Sequence, residues 1–268
     1  MQVHAVQFDT RWEDKHANFQ RARELIEQAA PPAGGLIALP EMFATGFTMK
    51  PRITAEPVGG ETEQFVRLLA RETGCLVIAG VVTDRRDGRN PTNDALICSP
   101  RGECVRQGKL HPFSLVDEQT HHSGGGDLCV AEFADASIAP LVCYDLRFPE
   151  AFRALASGGA NVFVVIANWP AGRSEHWLAL LRARAIENQC FVVGVNRTGV
   201  DPNVPYSGDS AAFSPLGDSL ARADASEQVL SADLDPAQLR EARALFCSLN
   251  DIRDDLLPAV PLVRHSLD

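Results

Sequence analysis

The strongest constraint on the fold is the alternation of short apolar runs with amphipathic segments along the 268 residues. Runs such as Leu36 to Leu39 and Leu76 to Val82 have the length and apolar content of buried strands. Between them, Glu61 to Thr73 repeats its apolar residues at the spacing of one helix face. This alternation is typical of α/β domains in which helices cover the sheets. We therefore expect an α/β fold, with two sheets or one large mixed sheet.

The same patterns predict the other elements and one long loop. Strands are expected at Gln2 to Phe8, Asp94 to Ser99, Cys104 to Gly108, Leu128 to Phe133, Ser137 to Val142, Asn161 to Ala167, Cys190 to Val195, Ser207 to Phe213 and Glu227 to Leu234. Helices are expected at Asp14 to Ala30, Phe148 to Ser157, Arg173 to Asn188 and Pro236 to Ala244. The segment from Lys109 to Asp127 has little periodicity, and loops of this length are usually functional or mobile. We expect residues 1–268 to form one domain and residues 245–268 to form an irregular tail, a candidate for packing at a dimer interface.

Charge and hydropathy exclude several classes of protein. A net charge of −10 opposes general binding to nucleic acid, which needs clustered Lys and Arg. No apolar run approaches the ~20 residues of a membrane helix. The amino terminus lacks the basic and apolar regions of a signal peptide. We therefore expect a cytoplasmic protein that binds a small molecule, without nucleic-acid or membrane partners.

The seven cysteines form no C-x-x-C pair, and their number is odd. A complete set of disulfides is therefore impossible, and zinc-ribbon spacing is absent. We expect reduced thiols, of which six are small buried hydrophobic residues. Cys143 differs because it lies between an apolar strand and a helix that begins near Pro149, a junction like the nucleophile elbow of hydrolases.

Two more chemical groups follow predicted strands. Glu41 follows Leu36 to Leu39, where partial burial would suit a general base. Lys109 follows Cys104 to Gly108, where a fixed ammonium could stabilise an oxyanion. A base, a cation and a thiol at strand ends together predict a site for nucleophilic attack on a carbonyl.

These segments resemble the signatures of the nitrilase (carbon–nitrogen hydrolase) superfamily. The matching segments are Leu39-Pro40-Glu41, Gly108-Lys109 and Leu141 to Pro149, supported by Asn168-Trp169-Pro170, Ala183 to Asn188, Gly208-Asp209-Ser210 and Pro215-Leu216-Gly217. The resemblance implies a four-layer α-β-β-α sandwich that forms a homodimer. It implies that Glu41, Lys109 and Cys143 are catalytic, that Glu118 supports them, and that no metal or cofactor is needed. The backbone N–H of Tyr144 would join Lys109 in the oxyanion site.

Within the superfamily, the segments around Glu41 to Phe47 and Asn168 to Trp177 look most like the omega-amidase branch. The resemblance implies release of ammonia from the terminal amide of 2-oxoglutaramate or 2-oxosuccinamate through a Cys thioester. Leu110 departs from the basic or polar residue that many relatives carry, which affects the expected substrate preference. We expect Arg173 to bind the substrate carboxylate and Trp169 and Phe43 to form pocket walls.

Two further roles are expected for residues beside these segments. Arg147 and Asp145 are expected to orient the elbow by ion pairing. The helix from Arg184 to Asn188 is a candidate for a dimer face.

Other functions remain open from the sequence. Other nitrilase branches share the same catalytic residues: N-carbamoyl amino acid amidohydrolases, deaminated-glutathione amidases and nitrilases. A papain-like cysteine protease is an alternative, since Cys143, His176 and Asn188 follow the Cys–His–Asn order. A non-catalytic binding protein on the same scaffold is another.

Overall fold

The computed structural model describes residues 1–253, 255 and 260–268. Its first sheet has the order β15-β1-β2-β4-β5-β6, with β3 beside β4. These strands are β1 (Gln2–Gln7), β2 (Leu36–Ala38), β3 (Ala55–Pro57), β4 (Leu76–Asp84), β5 (Thr92–Cys98), β6 (Cys104–Gly108) and β15 (Gln228–Asp233). The second sheet has the order β14-β13-β10-β9-β8-β7-β16. Its strands are β7 (Leu128–Phe133), β8 (Ala136–Val142), β9 (Val162–Ala167), β10 (Phe191–Asn196), β13 (Ala211–Phe213), β14 (Ser219–Arg222) and β16 (Leu262–Ser266).

Helices and a small hairpin complete the described part of the chain. The α-helices are α1 (Lys15–Ala29), α2 (Pro51–Thr54), α3 (Glu61–Thr73), α4 (Glu118–His121), α5 (Pro149–Ser157), α6 (Ser174–Asn188) and α7 (Pro236–Leu245). Short 3-10 turns occupy Ser114–Val116, Cys143–Arg147, Ala171–Arg173 and Ser248–Asp251. Strands β11 (Thr198–Val200) and β12 (Pro205–Ser207) pair as a separate hairpin. In the described ranges, no helix has the length and apolarity needed to cross a bilayer.

Three apolar clusters define four layers, which confirms the predicted α-β-β-α sandwich. The central cluster joins the inner faces of the two sheets, with Ile78 from one sheet and Ile138 from the other. A second cluster packs α1 and α3 on the first sheet, and a third packs α5 and α6 on the second. The predicted stripe of α1 is buried, and the Asp14 side chain caps this helix by accepting a hydrogen bond from the Ala17 N–H.

Two segments are more ordered than the sequence indicates. The tail was expected to be irregular, but Leu262–Ser266 forms β16, which pairs in parallel with β7 at the edge of the second sheet. Residues 254 and 256–259 of that tail lie outside the described residues. The long loop before β7 contains the 3-10 turn Ser114–Val116 and helix α4. Such segments are ordered by backbone hydrogen bonds to distant strands and turns. Apolar periodicity in the sequence does not predict these hydrogen bonds.

The expectation that all seven cysteines are reduced is wrong for one pair. Cys98 and Cys104 lie opposite each other on β5 and β6 and form a disulfide. The expectation that six cysteines are buried is also wrong for Cys247, which is exposed, and holds only in part for Cys104, which is half-buried. Cys143 is a free thiol, as predicted. The register of the β5–β6 hairpin places Cys98 and Cys104 side by side. The odd number of cysteines gave no indication of this pairing.

Candidate active site

Side chains from the ends of four strands meet between the two sheets. Glu41 lies three residues after the end of β2, and Lys109 directly follows β6. Cys143 directly follows β8, and Asn168 directly follows β9, its parallel neighbour. Crevices at the carboxyl ends of strands are where α/β folds place ligands. The structure therefore brings together the three predicted catalytic side chains, and Glu118 joins them from α4.

The carboxylate of Glu41 is completely buried and accepts three hydrogen bonds. Its Oε1 accepts from Lys109 Nζ at 2.8 Å and from Asn93 Nδ2 at 2.7 Å. Its Oε2 accepts from the backbone N–H of Asn168 at 2.9 Å. Strand β4 supports this position at Gly80, where a Cβ would lie 2.4 Å from the Cα of Glu41.

Lys109 is the cation between two buried carboxylates. Its Nζ lies 2.8 Å from Glu41 Oε1 and 2.8 Å from Glu118 Oε2. Burial alone would lower the pKa of Lys109, but the charges of Glu41 and Glu118 outweigh it and hold the pKa above its usual value. The ring of Phe47 lies 5.1 Å from the ammonium. Lys109 therefore carries a fixed positive charge at the site.

Glu118, which comes from the long loop, is the second buried carboxylate beside Lys109. Burial would raise the pKa of Glu118, but Lys109 and hydrogen bonds from Phe113 and Asn93 lower it below the usual value. The Phe113 N–H donates at 2.6 Å and Asn93 Nδ2 at 3.1 Å. Glu118 therefore remains ionised and, together with Glu41, holds the ammonium of Lys109.

Cys143 occupies a strained turn between β8 and α5. Its φ of 47° is in the left-handed region, which non-glycine residues adopt mainly at special sites. The following turn, Cys143–Arg147, leads into α5, which begins with Pro149. Burial and the nearby Glu41 carboxylate raise the pKa of the Cys143 thiol well above its usual value, although Lys109 opposes this shift. The resting sulfur is therefore protonated, and a base must accept its proton before it attacks.

Asp145 and Arg147 do not form the ion pair expected from the sequence. The Asp145 carboxylate instead accepts hydrogen bonds from the backbone N–H groups of Leu110, His111 and Val142, at 3.2, 2.9 and 3.2 Å. Asp145 thus ties the elbow to the chain that follows Lys109. The guanidinium of Arg147 turns towards the cavity and lies 4.8 Å from the Trp169 ring.

The end of α6 supports the elbow from within the chain. Arg184 is buried, and its Nε and Nη2 donate to the carbonyl oxygen of Leu146 at 3.2 and 2.8 Å. Asn188 is also buried and donates to the carbonyl of Arg184 at 3.0 Å. These two residues are therefore unavailable for the dimer face expected from the sequence, although Ile186 between them is exposed.

A cavity of about 780 Å³ opens above Cys143 and Lys109. Of the expected substrate-binding residues, Arg173, Trp169 and Tyr144 line it. Phe43 does not: it is buried in the cluster beneath the first sheet, with its ring 5.9 Å from Phe19 and 6.0 Å from Phe65. Phe47, four residues later, lines the cavity instead. The turn after Glu41 reverses the chain, so proximity in sequence did not identify which phenylalanine faces the site.

Two guanidinium groups, Arg147 and Arg173, lie at the cavity wall. Arg173 lies 5.7 Å from the Phe113 ring, and its carbonyl accepts a hydrogen bond from Trp169 Nε1 at 2.8 Å. Among the lining residues, the carboxylate of Asp201 is engaged by the Tyr206 hydroxyl and by the N–H groups of Asn203 and Val204. The wall therefore presents positive charge to a ligand, which suits a carboxylate.

The geometry contradicts the protease alternative. His176 contacts Arg147, with 3.4 Å between its Nδ1 and Nη2, and Asn188 is buried at the end of the same helix. Neither residue orients Cys143. Glu41 is the side chain that can act as the base for the Cys143 thiol.

In the part of the chain that the structure describes, no group of three or more His, Cys, Asp or Glu side chains is arranged to hold a metal ion.

Sequence reasoning missed three residues of this site: Asn93, Phe47 and Arg147. Asn93 begins an apolar strand and has no motif of its own, so only its contacts reveal it. Phe47 was quoted only as part of a matching segment. Arg147 was assigned to an ion pair because Asp145 is close in sequence, but the turn points the two side chains apart.

Known proteins resemble this chain over almost its whole length. The carbon-nitrogen hydrolase family model matches residues 2–244. The 2-oxoglutaramate amidase of Bacillus subtilis is 33% identical over 256 residues, which cover 95% of this chain and 98% of that protein. The omega-amidase YafV of Escherichia coli strain K12 is 36% identical over 242 residues, covering 90% and 92%. The crystal structure of XC1258 from Xanthomonas campestris, a CN-hydrolase superfamily protein with an arsenic adduct in its active site, superposes with a TM-score of 0.88 at 33% identity, covering 96% and 99%.

Proposed function

The chain belongs to the carbon–nitrogen hydrolase family, and on this premise we propose that it releases ammonia from the terminal amide of small 2-oxo acid amides. The substrates proposed are 2-oxoglutaramate and 2-oxosuccinamate. Relatives named 2-oxoglutaramate amidase and omega-amidase, each covered over most of its length, support this substrate class. Residues 1–268 form one catalytic domain in this proposal, since the described apolar clusters share the two sheets.

The observation that carries the proposal is the arrangement of base, cation and thiol. In acylation, Cys143 passes its thiol proton to Glu41, and the sulfur attacks the amide carbon. The oxygen of the tetrahedral intermediate is held by Lys109 and by the backbone N–H of Tyr144. Glu41 then gives the proton to the amide nitrogen, the C–N bond breaks, and ammonia leaves. The acyl group remains as a thioester on the sulfur.

Deacylation repeats these roles with water as the nucleophile. Glu41 accepts a proton from the water, whose oxygen attacks the thioester carbon while Lys109 holds the oxyanion. The C–S bond breaks, the sulfur regains a proton through Glu41, and the carboxylic acid is released. Glu118 takes no proton in this cycle. It keeps Lys109 in place and, with Glu41, keeps it charged.

The far end of the substrate carries a carboxylate and a 2-oxo group. Arg173 and Arg147 are the guanidinium groups that line the cavity, and a guanidinium fork binds a carboxylate through two parallel hydrogen bonds. Trp169 and Tyr144 form the adjoining wall. We assign the carboxylate to these two arginines. An amino acid amide would bring an ammonium group towards the same positive wall, which disfavours glutamine and asparagine.

A panel of ammonia-release assays tests the proposal. The purified protein is assayed with 2-oxoglutaramate, 2-oxosuccinamate, glutamine, an N-carbamoyl amino acid and a simple nitrile, next to Cys143→Ala. We expect the two 2-oxo acid amides to have the highest kcat/KM and Cys143→Ala to be inactive. A higher kcat/KM for the carbamoyl compound or the nitrile would overturn the substrate assignment. Unchanged activity of Cys143→Ala would overturn the mechanism.

The homodimer is also a proposal, supported by an exposed apolar surface. Ile186, Leu216, Leu245 and Phe246 are exposed large apolar residues, and Leu216 and Leu245 line one shallow groove. Contiguous exposed apolar surface commonly marks a protein interface. Light scattering after size-exclusion chromatography should give twice the chain mass for the wild type. Because Leu245 is 78% and Phe246 67% exposed, Leu245→Asp with Phe246→Asp should remain folded and give the mass of one chain.

A reducing, cytoplasmic location is the remaining part of the proposal. The proposed nucleophile Cys143 must stay a free thiol, which such a compartment maintains. Because a reducing compartment would also open the Cys98–Cys104 disulfide of the structure, this pair provides the test. Thiols are blocked at the moment of cell lysis, and the peptides that contain the two cysteines are then analysed by mass spectrometry. A reduced pair in cells supports the cytoplasm, and a fully oxidised pair argues for an oxidising compartment.

A further inference from the structure

Asn93 is hydrogen-bonded to three of the four residues Glu41, Lys109, Glu118 and Cys143, and it has no role in the cycle described above. It lies at the start of β5 and is 1% exposed. Its Nδ2 donates to Glu41 Oε1 at 2.7 Å and to Glu118 Oε1 at 3.1 Å. Its backbone carbonyl accepts from the Lys109 N–H at 2.7 Å. Asn93 thus fixes both carboxylates and the backbone of the lysine between them.

These contacts close a ring around the buried charges. Lys109 Nζ bridges the carboxylates of Glu41 and Glu118, and the amide of Asn93 bridges them a second time. Two bridges of different chemistry prevent rotation of either carboxylate, because each is held at more than one point. A network of several hydrogen bonds specifies one geometry more strictly than an isolated pair, although Oδ1 of Asn93 has no partner among the described residues.

The ring makes the two oxygens of Glu41 unequal. Oε1 accepts from both Lys109 and Asn93, whereas Oε2 accepts only from the Asn168 N–H. An oxygen with two strong donors has little capacity left for a third, and one with a single donor keeps a lone pair. The Asn168 carbonyl lies 3.9 Å from Cys143 Sγ, so Oε2 and the thiol share the same neighbouring residue.

We infer that Asn93 is a positioning residue that holds Oε1 of Glu41 in the ring, so that Oε2 serves as the proton acceptor for the thiol and for water. This inference rests on the proposed hydrolytic mechanism. Asn93 acts through Glu41 and does not contact the reacting atoms. Its amide is suited to the role because it donates two hydrogens without adding charge. An aspartate here would place a third carboxylate beside Glu41 and Glu118, and like charges at this distance disfavour ionisation.

The test compares Asn93→Ala and Asn93→Asp with the wild type over a full pH range. The other groups that act on Glu41 or its ring are Lys109, Cys143, Glu118, Tyr206 and His122, and both variants leave them in place. A hydrogen bond to the charged form of a carboxyl favours that form, so its loss makes the proton harder to remove. We expect the acidic limb of kcat/KM to move to higher pH in Asn93→Ala and further in Asn93→Asp. We expect kcat in Asn93→Ala to fall about 10- to 100-fold, with KM changed less than about threefold.

The matched control is Gln7→Ala, which removes another buried amide outside the site. Gln7 donates to the carbonyls of Asp224 and Ser226 at 2.6 and 2.7 Å. We expect Gln7→Ala to lower the melting temperature without moving the acidic limb. Asn93→Ser keeps a hydroxyl donor and should fall between wild type and Asn93→Ala, which gives a third variant if Asn93→Asp does not fold.

The outcomes separate this inference from the proposed function. If the wild type releases ammonia but the acidic limb of Asn93→Ala coincides with that of the wild type, the positioning role is wrong and Asn93 is structural only. If kcat is unchanged and only KM rises, the role is also wrong. If the wild type releases ammonia from none of the amides, the failure lies in the proposed function.

Discussion

The ammonium nitrogen of Lys109 lies 2.8 Å from Oε1 of Glu41, and the two side chains are 1% and 0% exposed. Replacement by methionine leaves two buried carboxylates, Glu41 and Glu118, without their cation. We expect Lys109→Met to reduce kcat/KM by about 10³-fold, since it removes an oxyanion-stabilising charge. We expect the free energy of unfolding to fall by about 3–5 kcal/mol, the usual effect of breaking a buried ion pair. Ammonia release and urea denaturation measure the two effects.

Arg89→Met is the control for this change. Arg89 pairs with Asp87 at the surface, with side-chain exposures of 65% and 37%. We expect full activity and a stability change below about 1 kcal/mol, as for most exposed ion pairs. Full amide hydrolysis by Lys109→Met would contradict the mechanism.

The pKa of the Cys143 thiol is raised by burial and next by the Glu41 carboxylate. Glu41→Gln removes that negative charge and leaves Lys109 beside the sulfur. We therefore expect the pH midpoint of Cys143 alkylation by iodoacetamide to fall in Glu41→Gln, even though ammonia release is lost. The assay uses a Cys247→Ser background, because Cys247 is the exposed free thiol among the described cysteines. Mass spectrometry of the Cys143 peptide follows the reaction. A midpoint equal to or above that of the parent protein would show that Glu41 does not set the state of the thiol.

The catalytic positions could be predicted from the sequence because strand ends converge. Glu41, Lys109 and Cys143 each follow a predicted strand, and an α/β fold brings the carboxyl ends of strands to one crevice. The structure places all three there. Apolar periodicity predicted the α/β class and most of the long elements, because buried faces impose strict periodicity. The four-layer arrangement was expected only from the family resemblance.

Residues whose role depends on orientation could not be predicted. Phe43 and Phe47 are equally apolar, and only the turn after Glu41 decides which one faces the cavity. Asp145 lies two residues from Arg147 in sequence. Its carboxylate accepts hydrogen bonds from backbone N–H groups and does not pair with Arg147. Strand β16 is short and half-exposed, so pairing with β7 determines it more than its own residues do.

Gly80 determines how closely β4 approaches the Glu41 turn. A Cβ at this position would lie 2.3 Å from the Met42 nitrogen and 2.4 Å from the Glu41 Cα, and both contacts are with backbone. Gly80→Ala must therefore displace Glu41 or β4. We expect kcat to fall by about 10²-fold, the effect of misplacing a catalytic group by roughly 1 Å. Gly126→Ala, where a Cβ meets open space, should retain full activity. Equal kcat in the two variants would show that β4 does not position Glu41.

The two cavity arginines should act on substrate binding and leave the chemistry intact. Loss of a charge-assisted hydrogen bond costs about 1.5–3 kcal/mol. We expect Arg173→Met and Arg147→Met each to raise KM for 2-oxoglutaramate by about 10- to 100-fold. Neither change should affect kcat/KM for butyramide, a neutral amide that lacks the carboxylate. Initial-rate measurements with both substrates provide the check. An equal loss with butyramide would indicate that the arginines support the fold of the cavity and do not bind the carboxylate.

His122 should make the folded state sensitive to acid. It is 1% exposed, and neither ring nitrogen has a hydrogen-bond partner among the described residues. Burial lowers its pKa from 6.5 to about 4, although the nearby Glu118 opposes this shift. Between these two pH values the unfolded chain binds a proton at His122 and the folded chain does not, so stability falls as the pH falls. This difference in the pKa of His122 between the unfolded and folded states corresponds to about 3 kcal/mol of folding free energy.

We expect His122→Leu to lose less stability than the wild type between pH 6.5 and pH 4 in urea titrations. His16→Leu, at an 82% exposed side chain, should keep the wild-type slope. Identical slopes for His122→Leu and the wild type would mean that His122 is protonated equally in both states.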